Sequence, residues 1–114
     1  MKEPGNKLFV VGATKDELGG SHLHLVAGRT GGTPPTPDLA VAPRLFAALH
    51  AAIAGGLVRA CHDLSEGGLA VAVAEMAFAG GVGADVTGLT NLPGADGMPD
   101  ETRLFSESLS RFVV

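Results

Sequence analysis

The sequence contains no tryptophan and no tyrosine, and phenylalanine occurs only 5 times in 114 residues. Hydrophobic residues still make up 46% of the chain, and most of them are alanine, valine and leucine. Aliphatic residues of this kind form cores of small, closely packed side chains. The length and composition therefore predict one domain, residues 1–114, with an aliphatic core.

Cysteine is almost absent as well, since Cys61 is the only one and no disulfide can form within the chain. This fits a reducing compartment, and we expect Cys61 to be a buried small side chain rather than a reactive thiol. No apolar run approaches the roughly 18 residues of a spanning helix, and the first residues lack the apolar core of a signal peptide. These absences lead us to expect a cytoplasmic protein.

Clusters of lysine and arginine are also missing, and the formal net charge is −4. Nucleic acids and anionic membranes are bound through basic faces. The charge balance therefore argues against nucleic acid and membrane as partners and leaves small molecules and other proteins.

Hydrophobic periodicity predicts a mixture of strands and helices. Helical spacing of apolar residues predicts a helix over residues 39–55. Strand patterns occupy residues 7–12, 22–26, 57–61, 82–86 and 109–114. The last of these is cut off in mid-pattern, from which we expect a truncated domain. His22 and His24 would share one face of their strand, but no third metal ligand follows at a suitable spacing, so we predict no metal site.

One stretch, residues 61–69, combines a polar turn with two glycines and leads into an apolar segment. We predict a helix over residues 66–78 with Ser65 as its N-cap. Backbone N–H groups at Ser65, Gly67 and Gly68 would then face outward at the positive end of the helix dipole, which is a geometry that binds anions or nucleotide phosphates. The alternative is a capped helix start without a ligand.

Three motifs together resemble one enzyme family. They are GATKDELGGS at residues 12–21, HDLSEGGL at residues 62–69 and LFSESLSR at residues 104–111. Their order and spacing are similar to those of phosphoribosylformylglycinamidine synthase, an enzyme of purine biosynthesis. The chain resembles most of that family's last domain, the C-terminal-type domain of its second unit related to aminoimidazole ribonucleotide synthetase.

The resemblance implies an α/β fold, described as an α+β sandwich, in which a mixed sheet carries helices packed on one face. It also implies that ATP and Mg²⁺ are bound by other domains of the full-length enzyme. We therefore expect no catalytic residue, no metal ligand and no tightly bound cofactor in this chain. The family's substrate-binding segment lies in the C-terminal-type domain of its first unit, and Ser106, Glu107 and Ser108 resemble the counterpart of that segment. Ser108 stands where the substrate-binding segment has glutamine. A serine hydroxyl cannot offer the paired donor and acceptor of an amide.

The function implied by the resemblance is ATP-dependent amidation of formylglycinamide ribonucleotide. Ammonia would come from a glutaminase subunit or domain. Alone, the chain is expected to be inactive and to self-associate through an unpaired sheet edge at residues 112–114 and through exposed apolar surface. Two alternatives stay open: a structural or regulatory module with an auxiliary nucleotide site, and a domain of a related kinase or synthetase.

Overall fold

The computed structural model describes all 114 residues, and its regular elements are short. Helices and strands alternate around one small sheet, which places the chain in the predicted α/β class. The elements in chain order are β1 (Val10–Val11), α1 (His22–Ala27), α2 (Ala42–Ala54), β2 (His62–Asp63), α3 (Gly68–Gly80), a 3-10 helix (Thr87–Asn91), α4 (Asp100–Phe105) and β3 (Phe112–Val113).

The sheet has the strand order β1-β3-β2, and both pairings are antiparallel. Val113 lies opposite Val10 on one side and opposite His62 on the other. The predicted mixed sheet is therefore wrong in this detail. β1 and β2 do run in the same direction, but β3 runs between them in the opposite direction, so no parallel pair forms.

The last strand lies in the middle of the sheet rather than at its edge. Beyond β3 itself, Val114 exchanges two backbone hydrogen bonds with Phe9, at 3.0 and 2.9 Å. The expectation of an unpaired edge at residues 112–114 is thus wrong, because β1 and β2 cover both sides of this segment. The free edges belong to β1 and β2.

The hydrophobic core lies between α3 and the sheet. It consists of six buried side chains, mostly from α3, with one from the strand at the centre of the sheet: Leu64, Leu69, Ala72, Val73, Met76 and Val113. Because successive strand residues point to opposite faces, Phe112 faces away from this core. There the ring of Phe46 from α2 meets it edge to face, with centroids 5.9 Å apart. Helices therefore contact both faces, although α3 alone makes a packed layer.

Residues 22–26 form a helix, α1, and not the predicted strand. The Ser21 hydroxyl accepts a bond from the His24 amide at 3.3 Å and caps the helix, while Gly28 ends it in a left-handed conformation with φ 63°. Leu25 and Val26 are 74% and 87% exposed. The alternating pattern was misleading because these apolar residues are not buried.

Other segments also depart from the sequence expectations. No strand forms at residues 82–86 or 57–61, and β2 begins just after the latter at His62. Cys61 is exposed rather than buried, and the pKa of its thiol is raised by partial burial and by the nearby charge of Asp63. No helix is long and apolar enough to cross a membrane.

Candidate functional site

The turn before α3 contains Ser65, Gly67 and Gly68, the residues proposed from the sequence to bind an anion. α3 begins at Gly68, and its N-cap is Gly67, whose φ of 76° suits glycine. Ser65 lies outside the cap and contacts the helix through its carbonyl oxygen, which accepts a bond from the Gly68 amide at 3.0 Å. The predicted Ser65 side-chain cap is therefore wrong, because the two glycines turn the chain one step later. Glu66 is exposed and precedes the first helical turn.

An anion does lie at this turn, but it is the protein's own Glu107 carboxylate. Its Oε1 accepts hydrogen bonds from the Gly67 amide and the His22 amide, both at 2.8 Å. His22 Nδ1 lies 3.5 Å from the same oxygen. The structure thus brings together the predicted anion turn and the predicted substrate-like segment, which are far apart in the sequence.

The position of Glu107 follows from the electrostatics of helix ends. Gly67 caps α3 and His22 is the first residue of α1, so both amides lack partners within their helices. The positive ends of helix dipoles favour a negative charge nearby. One carboxylate oxygen satisfies both amides and connects α1 to the start of α3.

Gly68 allows the substrate-like segment to lie directly against α3. A Cβ at this position would lie 2.5 Å from the Ser106 carbonyl oxygen and 2.9 Å from that of Leu104. Both atoms belong to the backbone, so a side chain could not be accommodated by a rotamer change. The glycine therefore sets the distance between the α3 turn and the segment that carries Glu107.

The two serines of the segment are fully buried and bind the loop of residues 12–21. Ser106 Oγ donates to the Lys15 carbonyl oxygen at 2.7 Å, and the Lys15 amide donates to Ser108 Oγ at 3.0 Å. The two hydroxyls also lie 2.9 Å apart, within hydrogen-bonding distance. Their hydrogen-bonding capacity is therefore used inside the protein.

A buried arginine extends this polar cluster beneath the same loop. Arg111 is 2% exposed; it donates to Thr14 Oγ1 at 2.8 Å and to the Ser106 carbonyl oxygen at 3.0 Å. Burial lowers its pKa to about 10, against the opposing effect of Glu17, so the guanidinium stays charged at neutral pH. Glu17 is 5% exposed, and its Oε1 accepts from the Thr36 amide at 3.2 Å. The cluster therefore joins three loops that lack regular structure.

The sequence comparison identifies the family. Residues 3–114 match the family described as "AIR synthase related protein, C-terminal domain". The chain belongs to this family. The resemblance inferred from the three motifs is confirmed, and the α/β class agrees with it.

Three curated relatives that are similar to the whole chain carry one name. The chain is 46% identical over 115 residues to "Phosphoribosylformylglycinamidine synthase subunit PurL" of Alkaliphilus metalliredigens, 42% over 114 residues to that of Leifsonia xyli, and 41% over 114 residues to that of Thermococcus sibiricus. These matches cover 99–100% of this chain but 15–16% of each relative. The chain therefore spans about one seventh of the length of these relatives.

Sequence reasoning found the three motif segments of this AIR synthase-related domain but not the residues that join them. Thr14 and Glu17 lie in the motif at residues 12–21, which was interpreted as a loop. Arg111 is the last residue of the motif at residues 104–111, and no role was assigned to it. Charged residues in loops usually face solvent, so burial of Glu17 and Arg111 had no signal in the local pattern. His22 and His24 both lie in α1, and the absence of a metal site there stays a prediction.

Proposed function

We propose that this chain works as part of a phosphoribosylformylglycinamidine synthase, a ligase that forms a C–N bond during ATP-dependent amidation of formylglycinamide ribonucleotide. The proposal is supported by 46% identity to a PurL subunit over the whole chain. ATP and Mg²⁺ would be bound by other parts of the full-length enzyme, and a glutaminase subunit or domain would supply ammonia. A cytoplasmic location follows from this biosynthetic role.

Within that enzyme, we assign this domain a structural role. This assignment rests on the contacts of residues 106–108. Ser106 and Ser108 are buried and bind the Lys15 backbone, and Glu107 accepts hydrogen bonds from two backbone amides. The Gly67 amide, which a phosphate would need, binds Glu107 in this conformation. These contacts support a structural role for the segment, with ATP and its metal assigned to other parts of the enzyme.

A chimera tests the assignment to the synthase. The matching 115 residues of the Alkaliphilus metalliredigens relative are replaced by this chain, and ammonia-dependent turnover is measured with ATP and Mg²⁺. We expect the chimera to keep activity, and the isolated chain to show none above a blank without protein, because phosphoryl transfer needs a complete, correctly positioned site. A folded but inactive chimera would refute the assignment, and so would turnover by the isolated chain.

A second candidate function is an auxiliary nucleotide or anion site at Ser65, Gly67 and Gly68. The observation in its favour is that two amides converge on one Glu107 oxygen, an arrangement that also suits a phosphate oxygen. In this proposal a ligand binds when Glu107 leaves, and the enzyme uses the site for regulation. The Glu107 carboxylate is then the competitor of the ligand.

Calorimetric titration of ADP and sulfate distinguishes the two roles. Glu107→Ala should bind at least one of these ligands more tightly than the parent chain, because it removes the competing charge and frees both amides. Glu66→Gln is the matched control, since it removes a nearby carboxylate that contacts neither amide. If Glu107→Ala gains no affinity over Glu66→Gln, the anion-site proposal is wrong and the turn only starts a helix.

We further propose that the isolated chain self-associates with a second copy through apolar surface. Several large side chains are exposed, among them Phe9 at 60%, Leu57 at 82% and Phe78 at 82%. Exposed apolar surface of this kind favours association. Light scattering across a dilution series should show a dimer or larger species that dissociates on dilution, and a monomer at every concentration would contradict the proposal.

A further inference from the structure

Residues 22–37, here called the flap, are attached to the rest of the chain without any fully buried side chain. The flap consists of α1 and the loop that follows it, and none of its residues is buried. Leu25 and Val26 point their apolar side chains into solvent. Among its apolar residues, only Leu23 and Pro35 are half-buried, so burial of apolar surface contributes little to the attachment of this segment.

Polar contacts to three carboxylates hold the flap in place. Glu107 accepts from the His22 amide at 2.8 Å, Glu101 pairs with Arg29 at 2.6 Å, and Glu17 accepts from the Thr36 amide at 3.2 Å. The Arg29–Glu101 pair is exposed on both sides and contributes little. Glu107 and Glu17 are largely shielded from solvent, so they provide the stronger attachment.

In its observed position, the flap also shields two polar atoms that have no hydrogen-bond partner. Glu17 Oε2 and His24 Nδ1 are shielded from solvent and make no hydrogen bond. Glu17 faces the flap through Thr36, and the His24 ring lies beside Gly32. Unpaired buried polar groups are unfavourable, and opening the flap would return both atoms to water.

We infer that the flap opens and closes as one unit, with Glu107 connecting its closed position to the start of α3. In the observed position, Glu17 Oε2 and His24 Nδ1 are shielded from solvent and gain no hydrogen bond, and only a few hydrogen bonds attach the flap. Segments with few apolar contacts open at lower free energy than the core. This inference does not depend on the proposed function, because it concerns the opening of a segment and not a reaction.

Gly19 provides a specific way to disturb the flap. Its backbone passes directly under the flap, where a Cβ would lie 2.6 Å from the Gly32 carbonyl oxygen and 2.7 Å from the Thr33 carbonyl carbon. The Gly19 amide donates to Thr33 at 2.8 Å. Because φ of Gly19 is not positive, alanine is compatible with the backbone there, and Gly19→Ala acts by steric contact with the flap.

Hydrogen exchange measured by NMR on the 114-residue chain tests the inference. In Gly19→Ala, the amides of His22 and Thr36, which bind Glu107 and Glu17 outside the flap, should exchange about tenfold faster or more, while the amides of α3 keep their protection. Glu107→Gln should accelerate the same flap amides, because it weakens a charge-assisted contact. Gly83→Ala is the matched control, since a Cβ there meets no atom within 4 Å.

Two results would overturn the inference. One is unchanged exchange of the His22 and Thr36 amides in both Gly19→Ala and Glu107→Gln. The other is equal acceleration of the flap and of α3, which would mean that the flap unfolds with the whole domain and not separately. If Gly19→Ala does not fold, Glu107→Gln alone decides between these results.

Discussion

Arg111→Ala should lower the free energy of unfolding by about 3–5 kcal/mol, the usual effect of removing one partner from a buried charged cluster. Arg111 is 2% exposed and joins Thr14 to the Ser106 carbonyl oxygen. Without it, both acceptors lose a donor, and buried Glu17 loses the nearest buried positive charge. Arg111→Lys should also be destabilising, because one ammonium group cannot reproduce two diverging guanidinium contacts.

Urea denaturation measures this effect against Arg59→Ala. Arg59 also pairs with a carboxylate, Glu3 at 3.0 Å, but both side chains are exposed, so a change of about 0–1 kcal/mol is expected. The double variant Arg111→Ala with Glu17→Gln should lose less stability than the sum of the two single variants, because the charges interact. Equal losses in Arg111→Ala and Arg59→Ala would show that the buried cluster does not support the fold.

Local patterns in the sequence were sufficient to place the two longest helices. Helical spacing predicted residues 39–55, and a glycine-containing turn before an apolar segment predicted residues 66–78. These helices correspond to α2 (Ala42–Ala54) and α3 (Gly68–Gly80). The apolar run at residues 7–12 contains β1. Several apolar residues of α3 are buried against the sheet, whereas α2 has helical spacing with only Ala42 buried. The spacing therefore predicted the α2 helix but not its packing.

The same reasoning failed where burial does not control the structure. Residues 22–26 alternate like a strand, but their apolar side chains are exposed and two flanking residues, Ser21 and Gly28, determine the helix. The strand pairing could not be predicted either, because a strand pattern does not specify its neighbour. β3 was thus expected at an edge and lies at the centre.

In the candidate site, the sequence predicted the individual segments but not the contacts between them. Its segments were identified from their motifs, but the contacts between them join residues that are distant in sequence. Gly67 and Glu107 are separated by 40 positions, and Thr14 and Arg111 by 97. Periodicity and capping rules describe near neighbours in sequence, so they cannot report that a carboxylate from one motif binds the helix start of another. Whether Ser65, Gly67 and Gly68 bind a ligand stays a prediction.

Gly68→Ala should be strongly destabilising, because two independent effects act at this position. The φ of Gly68 is +61°, a left-handed conformation that is unfavourable by about 1–2 kcal/mol for residues with a Cβ. The added Cβ would also lie 2.5 Å from the Ser106 carbonyl oxygen, and relieving such an overlap requires backbone shifts of about 1–3 kcal/mol. We therefore expect a total loss of about 2–5 kcal/mol in the free energy of unfolding.

Gly81→Ala separates the two effects, because Gly81 has nearly the same φ, +63°, but no atom within 4 Å of its added Cβ. It should lose the conformational part alone, about 1–2 kcal/mol. The difference between the variants in urea denaturation therefore measures the close contact between α3 and the Ser106 backbone. This contact places Glu107 beside Gly67, so Gly68→Ala should also accelerate hydrogen exchange of the Gly67 amide more than Gly81→Ala does. Equal losses of stability in the two variants would show that the segment carrying Glu107 can move away from α3 without cost, and the structural role assigned to it would then be wrong.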